Sequence, residues 1–522
     1  MRGRTLLNTA PLVVARSDGH SLRSREELMS HDRTRALASK GVVPFHRADT
    51  KRQLLLTLCL VLIAGLTVGC TVGPNYTRPA TPVPTAYRAP APLPPAEAAS
   101  VADLKWFDVF KDEKLQDLIR TALQQNYDLR LAVARVEEAR AGLGIVRSNQ
   151  FPNFGASGSV EINRLSRGGE TPIPPELLPS QNRNFGSAAL QLLSFEVDIW
   201  GKLRRATEAA RANLLSADDT RKAVVTTLVS DVATSYLTMR ELDYALEISQ
   251  ETLKTRKESL ELTRSRQTGG VSTLLDLRQA EQLVYTADET IPALQQQIEQ
   301  TENQITLLLG ENPGNVARGR ALTEQNFPPE VPAGLPSSLL ERRPDIQAAE
   351  QSLIAANAQI GVARAAYFPE LSLSGFLGGQ STQLSSLFSG PHSAWSLVPQ
   401  VTQPIFTAGR LKSNVRLAQA ERDEALTQYQ KTIQTAFTEV SDALIAHQRV
   451  RESREKQQAL VHALEDRKRL AYLRYHGGVD TQLNALDADR DLFQAQLDLA
   501  QLQLQDTLTV VQLYKALGGG WQ

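Results

Sequence analysis

The sequence predicts a mainly α-helical chain with four β-strands, built as two copies of one unit, and three observations carry that prediction. First, motifs recur in register: Gly201-Lys202-Leu203 returns as Gly409-Arg410-Leu411, Gly269-Gly270-Val271 as Gly477-Gly478-Val479, and Leu309-Gly310 as Leu517-Gly518, each 208 residues on. Second, the stretches from Lys202 to about Gln267 and from Arg410 to about Tyr475 contain neither proline nor glycine. Third, between helical stretches the apolar periodicity switches to two. Repetition on this scale concerns the whole architecture, so it outranks any local motif.

The amino terminus reads as a secretory signal. Lys51-Arg52, an uncharged apolar run from Leu54 to Leu66, and small residues ending at Cys70 have the layout of a secretory signal. The run is too short to span a bilayer comfortably. Its ending, LTVGC, resembles a bacterial lipobox, with Thr67 in place of the usual Leu, which implies acylation of the Cys70 thiol; the alternative is a plain signal peptide with an incidental Cys, and Thr71 in place of an acidic residue favours the outer membrane. The signal sits unusually far in, and translation is expected to start at Met29 or near Val43. Residues 1–69 are thus extension and signal. Cys59 lies inside the apolar run, so the processed chain keeps Cys70 alone and forms no internal disulfide. Residues 70–100 hold eight prolines between Gly73 and Ser100 and read as an extended tether.

The first copy spans 101–310, a linker 311–336, the second copy 337–518 and a tail 519–522. Each copy opens with a leading helix, about 113–149 and about 337–366. The helical pattern stops at Phe151-Pro152 and Phe368-Pro369, where alternation begins. Phe154, Ala156, Gly158, Val160 and Ile162 alternate with Gly155, Ser157, Ser159 and Glu161; a returning segment covers about 185–199. In the second copy Leu371, Leu373 and Gly375 alternate with serines, and Trp395, Leu397 and Val401 with Ser396, Val398 and Gln400. These strands suit either a soluble sheet or an outer-membrane wall. In lipid, four strands cannot close a barrel alone, so several chains would have to pool them. The early motifs Asp128/Asp345 and Phe151/Phe368 repeat at 217 instead of 208, which leaves nine extra residues in the first copy. They fall around Arg164 to Arg183, a Gly- and Pro-rich external loop.

The breaker-free stretches, rich in Ala, Leu, Gln, Glu and Arg, predict helices of about 100 Å. Apolar steps of three and four through Ala223, Leu228, Val232, Tyr236, Met239, Ala245 and Leu253 give a stripe that needs a partner. Each long helix ends at a Gly-Gly pair and a return helix follows, about 271–309 and about 480–517, making one coiled-coil hairpin per copy. Pro292 is expected to kink or break the first return helix.

Charge removes one class of function. The first 69 residues carry 11 basic against 5 acidic side chains, and the remainder 46 against 52, which excludes a strongly basic nucleic-acid binder. The seven histidines are isolated and lack metal-ligand spacing, and no phosphate loop or Ser/His/Asp arrangement stands out. No enzyme, metal or cofactor is expected, apart from covalent lipid on Cys70.

In this order and spacing, the motifs VGPNYTRP, WFDVFKDEKLQDLIRTALQQNYDL, FEVDIWGKLRR, RRPDIQAAEQSL, FPELSLSG, QPIFTAGRLK and RYHGGVDTQLNALDADRDLF resemble the outer-membrane factors, the TolC-like channels of efflux pumps, and most closely their lipoprotein branch. The resemblance covers roughly Cys70 to Gly518. It implies a homotrimer with a twelve-stranded transmembrane β-barrel and an α-barrel of helical hairpins, localised to the outer membrane and reaching into the periplasm. It also implies passive conduction of small molecules, with a periplasmic adaptor and an inner-membrane transporter as partners. Alternatives are protein secretion, metal export, or an adaptor or structural lipoprotein; two in-register hairpins, each preceded by strands, argue against the last pair.

The family pattern places Leu483 and Asp487 at the periplasmic constriction, with Asn484 where some relatives carry a second acid. A ring of Asp487 carboxylates would favour cations; the alternative is a solvated helix residue paired with Arg490. The tips Gly269-Gly270-Val271 and Gly477-Gly478-Val479 match the family's adaptor contacts, although a helix terminator needs glycine equally. Arg474 and Tyr475 are expected either to bond across neighbouring hairpins or to lie on the surface.

Overall fold

The computed structural model describes residues 71–90, 100–164, 182–325 and 333–521. Cys70, the signal segment and most of the expected external loop lie outside them. The main elements run α1 (Glu113–Gln125), α2 (Tyr127–Ser148), β1 (Phe154–Arg164), β2 (Asn182–Val197), α3 (Lys202–Thr268) and α4 (Leu274–Leu309). The second copy follows with α5 (Pro344–Ala365), β3 (Glu370–Ser381), β4 (Ser393–Thr402), α6 (Arg410–His476) and α7 (Gln482–Ala516).

Each leading helix, expected to be continuous, is broken, and at equivalent places. Asn126 and Arg343, 217 residues apart, both leave the helical region, with ψ of 131° and 120°. At Asn126 a side chain makes the break: its Oδ1 accepts from Leu129 N and its Nδ2 donates to Leu308 O. At Arg343 the cause is Pro344, whose ring disfavours helix at the residue before it. Duplication kept the break and changed the chemistry that causes it.

The long helices α3 and α6 each run 67 residues. Both start after a left-handed glycine, Gly201 (φ 80°) and Gly409 (φ 84°). Helix α4 passes through Pro292 as one continuous element, so of the expected kink or break the break does not occur. Pro292 and Asp288, whose carbonyl loses its helical donor there, are both exposed, so the freed carbonyl lies on the solvent side of the helix.

The four strands form one antiparallel sheet in the order β1-β2-β3-β4. Register aligns the alternation across it. Val160 lies opposite Gly186, Leu190 opposite both Ala156 and Leu377, and Trp395 opposite Leu377, so one face is apolar from edge to edge. Ser157, Ser159, Ser187, Gln191, Ser372 and Ser396 occupy the other face, where Ser159 bonds Ser187 and Gln191 bonds Ser157. A bulge between Leu192 and Phe195 shifts the β2–β3 register near the helical end.

The main core lies where α1, α2 and α5 meet the middle of the long helices and the end of α7. Tyr236, Tyr429, Tyr514, Ile305, Ile346 and Leu353 are buried there. Asp112 is buried beside it and anchors the linker. It accepts from Lys114 N, Arg320 N, the Tyr236 hydroxyl and Gln325 Nε2, bonds that outweigh desolvation and hold its carboxyl below the usual range. Smaller apolar seams zip each hairpin: Leu253, Leu260, Leu277 and Val284 in the first, Val461, Leu492 and Leu499 in the second.

The Pro-rich tether is corrected in part. Residues 71–90 lie against the helices, and Tyr87 joins the main core. Glu350 accepts from Arg78 Nε and Nη2 (2.7 and 2.5 Å) and from the Tyr76 hydroxyl, while Arg205 donates to Asn75 Oδ1 at 2.6 Å and Asn357 to Pro74 O. Proline prevents regular structure here, yet the polar side chains between the prolines dock the segment.

Candidate gate and tunnel wall

Both hairpins turn by the same device. After α6, Gly478 takes φ 71° and Val479 N returns to Arg474 O; after α3, Gly270 takes φ 75° and Val271 N returns to Arg266 O. A side chain at Gly270 or Gly478 would meet open space, so backbone sign alone demands glycine within the chain. Gly269 and Gly477 keep φ of −76°, which any residue adopts. Val271 and Val479 are exposed beyond the turns.

On α7 the candidate gate residues share the face that their own chain leaves uncovered. Leu483 is exposed, and Asp487, one turn on, is partly exposed and ion-paired to Arg490 at 3.1 Å. Asn484 donates to Asp480 at 2.7 Å, and Arg474 donates to the same carboxylate at 2.9 Å. Arg474 first, then Asn484 and Thr481 N, hold the Asp480 carboxyl below the usual carboxylate range. Arg474 thus closes its own turn with an exposed side chain, and among the described residues its bond stays within the second hairpin. Tyr475 does reach across: its ring receives the Arg266 guanidinium of the first hairpin at 4.9 Å, and its hydroxyl donates to Gln482.

The opposite face of α7 holds what sequence reading missed. Asp489, 2% exposed, accepts from Arg256 Nε of α3 at 2.7 Å and pairs with Lys468 of α6 at 2.5 Å. Arg256, 4% exposed, also donates to Leu283 O and lies 4.8 Å over the Phe493 ring. Gln482 adds a buried bond to Thr263 at 2.6 Å. A signal existed: Arg256 interrupts the stripe Leu253, Leu260, and Asp489 interrupts Leu486, Phe493. A charge at a stripe position asks for a buried partner.

Further along the hairpins, a cavity of about 620 Å³ opens between α3, α4 and α7, lined by Glu241, Gln297, Gln304, Gln494, Asp498 and Gln501 among others. Burial alone pushes the Glu241 carboxyl up to about 7. The residues Asp487, Gln494 and Gln501 are spaced by seven along α7, so cavity and candidate gate share a stripe.

At the sheet end, Trp200 stacks on Phe368 at 4.6 Å and donates to Pro369 O, linking the strand-to-helix junction of the first copy to the helix-to-strand junction of the second. Val72 N donates to Trp200 O, and Thr71 packs against Gly201. The residue following Cys70 therefore sits at the junction of sheet and helices.

Residues 118–311 and 335–519 match the family described as outer membrane efflux protein. The chain belongs to that family. Its relatives include the antibiotic efflux pump outer membrane protein ArpC of Pseudomonas putida, 40% identical over 89% of this chain and 95% of the relative. The toluene efflux pump outer membrane protein TtgC of the same species is 39% identical over the same shares. Among solved structures, the open state of the MtrE outer membrane channel of Neisseria gonorrhoeae superposes with a TM-score of 0.78 at 31% identity, covering 87% of this chain and 99% of that one. Family membership makes this an outer-membrane efflux channel, belonging to a channel family and not an enzyme family. The sheet is one protomer's share of a trimeric β-barrel, and the hairpins its share of an α-barrel.

Proposed function

We propose that the chain works as a homotrimer that passively conducts small apolar and amphipathic organic molecules. A periplasmic adaptor would dock at the two hairpin tips, and an inner-membrane transporter would supply the energy. Acylation at Cys70 would hold the trimer to the outer membrane, and Leu483 and Asp487 would form its periplasmic constriction. The observation that carries the reading is the sheet: one face is apolar along most of its length, the other mixes serines and Gln191 with Phe185, Ala189, Phe376 and Val398, and β1 and β4 are left as open edges. Unpaired edges are untenable in lipid, so neighbouring copies must supply the missing partners. The names of the ArpC and TtgC relatives support the substrate class.

The test is single-channel recording of the purified protein in a planar bilayer, with mass measured on the same preparation. Trimeric mass with small cation-biased openings is expected. A monomer that never conducts overturns the reading in favour of a structural lipoprotein.

A further inference from the structure

We propose that the β3–β4 loop, residues 382–392, is a membrane anchor: it folds back over the lipid side of the barrel and inserts Leu384 and Phe388 among the acyl chains of the outer leaflet. The loop lies at the end of the sheet away from the helices, which is the external end. Four observations carry the assignment.

The first is its side. Leu371, Leu373, Leu377 and Gly379 project from the apolar face of β3, and a side chain built on Gly379 collides with the Leu387 carbonyl oxygen. The loop backbone therefore occupies the space above Gly379 on the apolar face, away from the polar face of Ser372 and Ser374. The second is charge. No Asp, Glu, Lys or Arg occurs between Glu370 and Arg410, whereas the corresponding stretch of the first copy carries Arg164, Arg167, Glu170, Glu176 and Arg183. The first-copy loop is charged, whereas the β3–β4 loop sets Leu384, Leu387 and Phe388 among uncharged Ser, Thr, Gln, Gly and Pro and His392.

The third is exposure. Leu387 is buried against the strand, but Leu384 and Phe388 are 83% and 80% exposed, continuous with exposed Leu377 and Trp395 on the same face. Large apolar side chains on a surface that continues a lipid-facing wall are interfacial anchors. The fourth is the polar ledger. Backbone bonds close two short turns, Ser386 N to Gln383 O, Leu387 N to Leu384 O, Ser389 N to Ser386 O and His392 N to Ser389 O. The Ser381, Ser386, Ser389 and Ser393 hydroxyls bond within the segment. A segment near lipid must satisfy its polar groups internally, and this one does so to a large degree.

Spin labels on the full-length protein in phosphatidylcholine/phosphatidylglycerol vesicles test the proposal. Val160→Cys on the apolar face marks lipid, Ser157→Cys on the polar face marks water, and the unsubstituted protein corrects for native thiols. The label at Phe388→Cys is expected to follow Val160, relaxed by oxygen and shielded from a water-soluble nickel complex. A Phe388 label that follows Ser157 overturns the anchor while leaving the barrel intact. Nickel access at both Phe388 and Val160 overturns the anchor together with the barrel.

Discussion

Arg256 of the first hairpin and Asp489 of the second form a buried ion pair, Nε to Oδ2 at 2.7 Å, that ties the two copies together near their tips. Lys468 shares the carboxylate, so three of the four long helices converge on one buried charge. Removing one member of such a pair strands the other, at a cost of about 3–5 kcal/mol. Arg256→Leu alone is expected to raise hydrogen exchange sharply across α7 near Asp489, and Arg256→Leu with Asp489→Leu to restore much of the protection. Equal protection in the single variant and the native protein would show that the pair contributes nothing.

Asp487 faces outward from its chain and is held by Arg490. Asp487→Ala should alter conductance or cation preference in bilayers, and Arg490→Ala, which frees the carboxylate, should shift cation preference the opposite way. Unaltered conductance and selectivity in both would return Asp487 to the role of a solvated helix residue.

Gly270 and Gly478 need positive φ but have free space above them. Asparagine tolerates that conformation, so Gly270→Asn and Gly478→Asn should fold with a loss of about 1 kcal/mol or less. Gly270→Asp and Gly478→Asp should weaken crosslinking to an adaptor in an intact trimer. If crosslinking is unchanged, these are turn glycines only.

Glu241 is expected to make stability pH-dependent. Its carboxyl titrates near 7 in the folded chain against an ordinary 4.5. Below the lower value it is protonated in both states. As pH rises from about 4.5 to 7 the unfolded chain releases the proton while the fold retains it, so stability falls across that window and then levels. Glu241→Gln should be more stable than the native protein at pH 8, by on the order of 2 kcal/mol, and equal to it near pH 4. Thermal melts at the two pH values decide it; a constant difference would rule the titration out.

Cys70→Ser should abolish incorporation of labelled palmitate. Label retained in the variant would place any acylation elsewhere.

Much of the architecture was legible because long-range order was written as local repetition. The glycines at 201, 269, 270, 409, 477 and 478 marked both hairpins, since a helix of this length is interrupted only where a residue forces it. The sheet faces were legible because strand alternation needs no partner to be seen, and register then only aligns one strand with the next. The breaks at Asn126 and Arg343 were harder. Pro344 advertises its break, whereas Asn126 makes one through a bond to Leu308, distant in sequence. The docking of residues 71–90 was hidden for the same reason: proline content reports the missing regular structure but not the carboxylate of Glu350 waiting across the fold.

By itself the sequence determined the duplication, the two hairpins, the four strands and the family, because each rests on periodicity or on breakers that act within a few residues. Only the tertiary structure decided that Arg256 and Asp489 meet, that Arg474 closes its own turn while Tyr475 reaches across, and that the β3–β4 loop folds onto the apolar face. Those pairings join residues far apart along the chain, and a side chain's partner across such distances is set by how helices and strands pack, which no local pattern encodes.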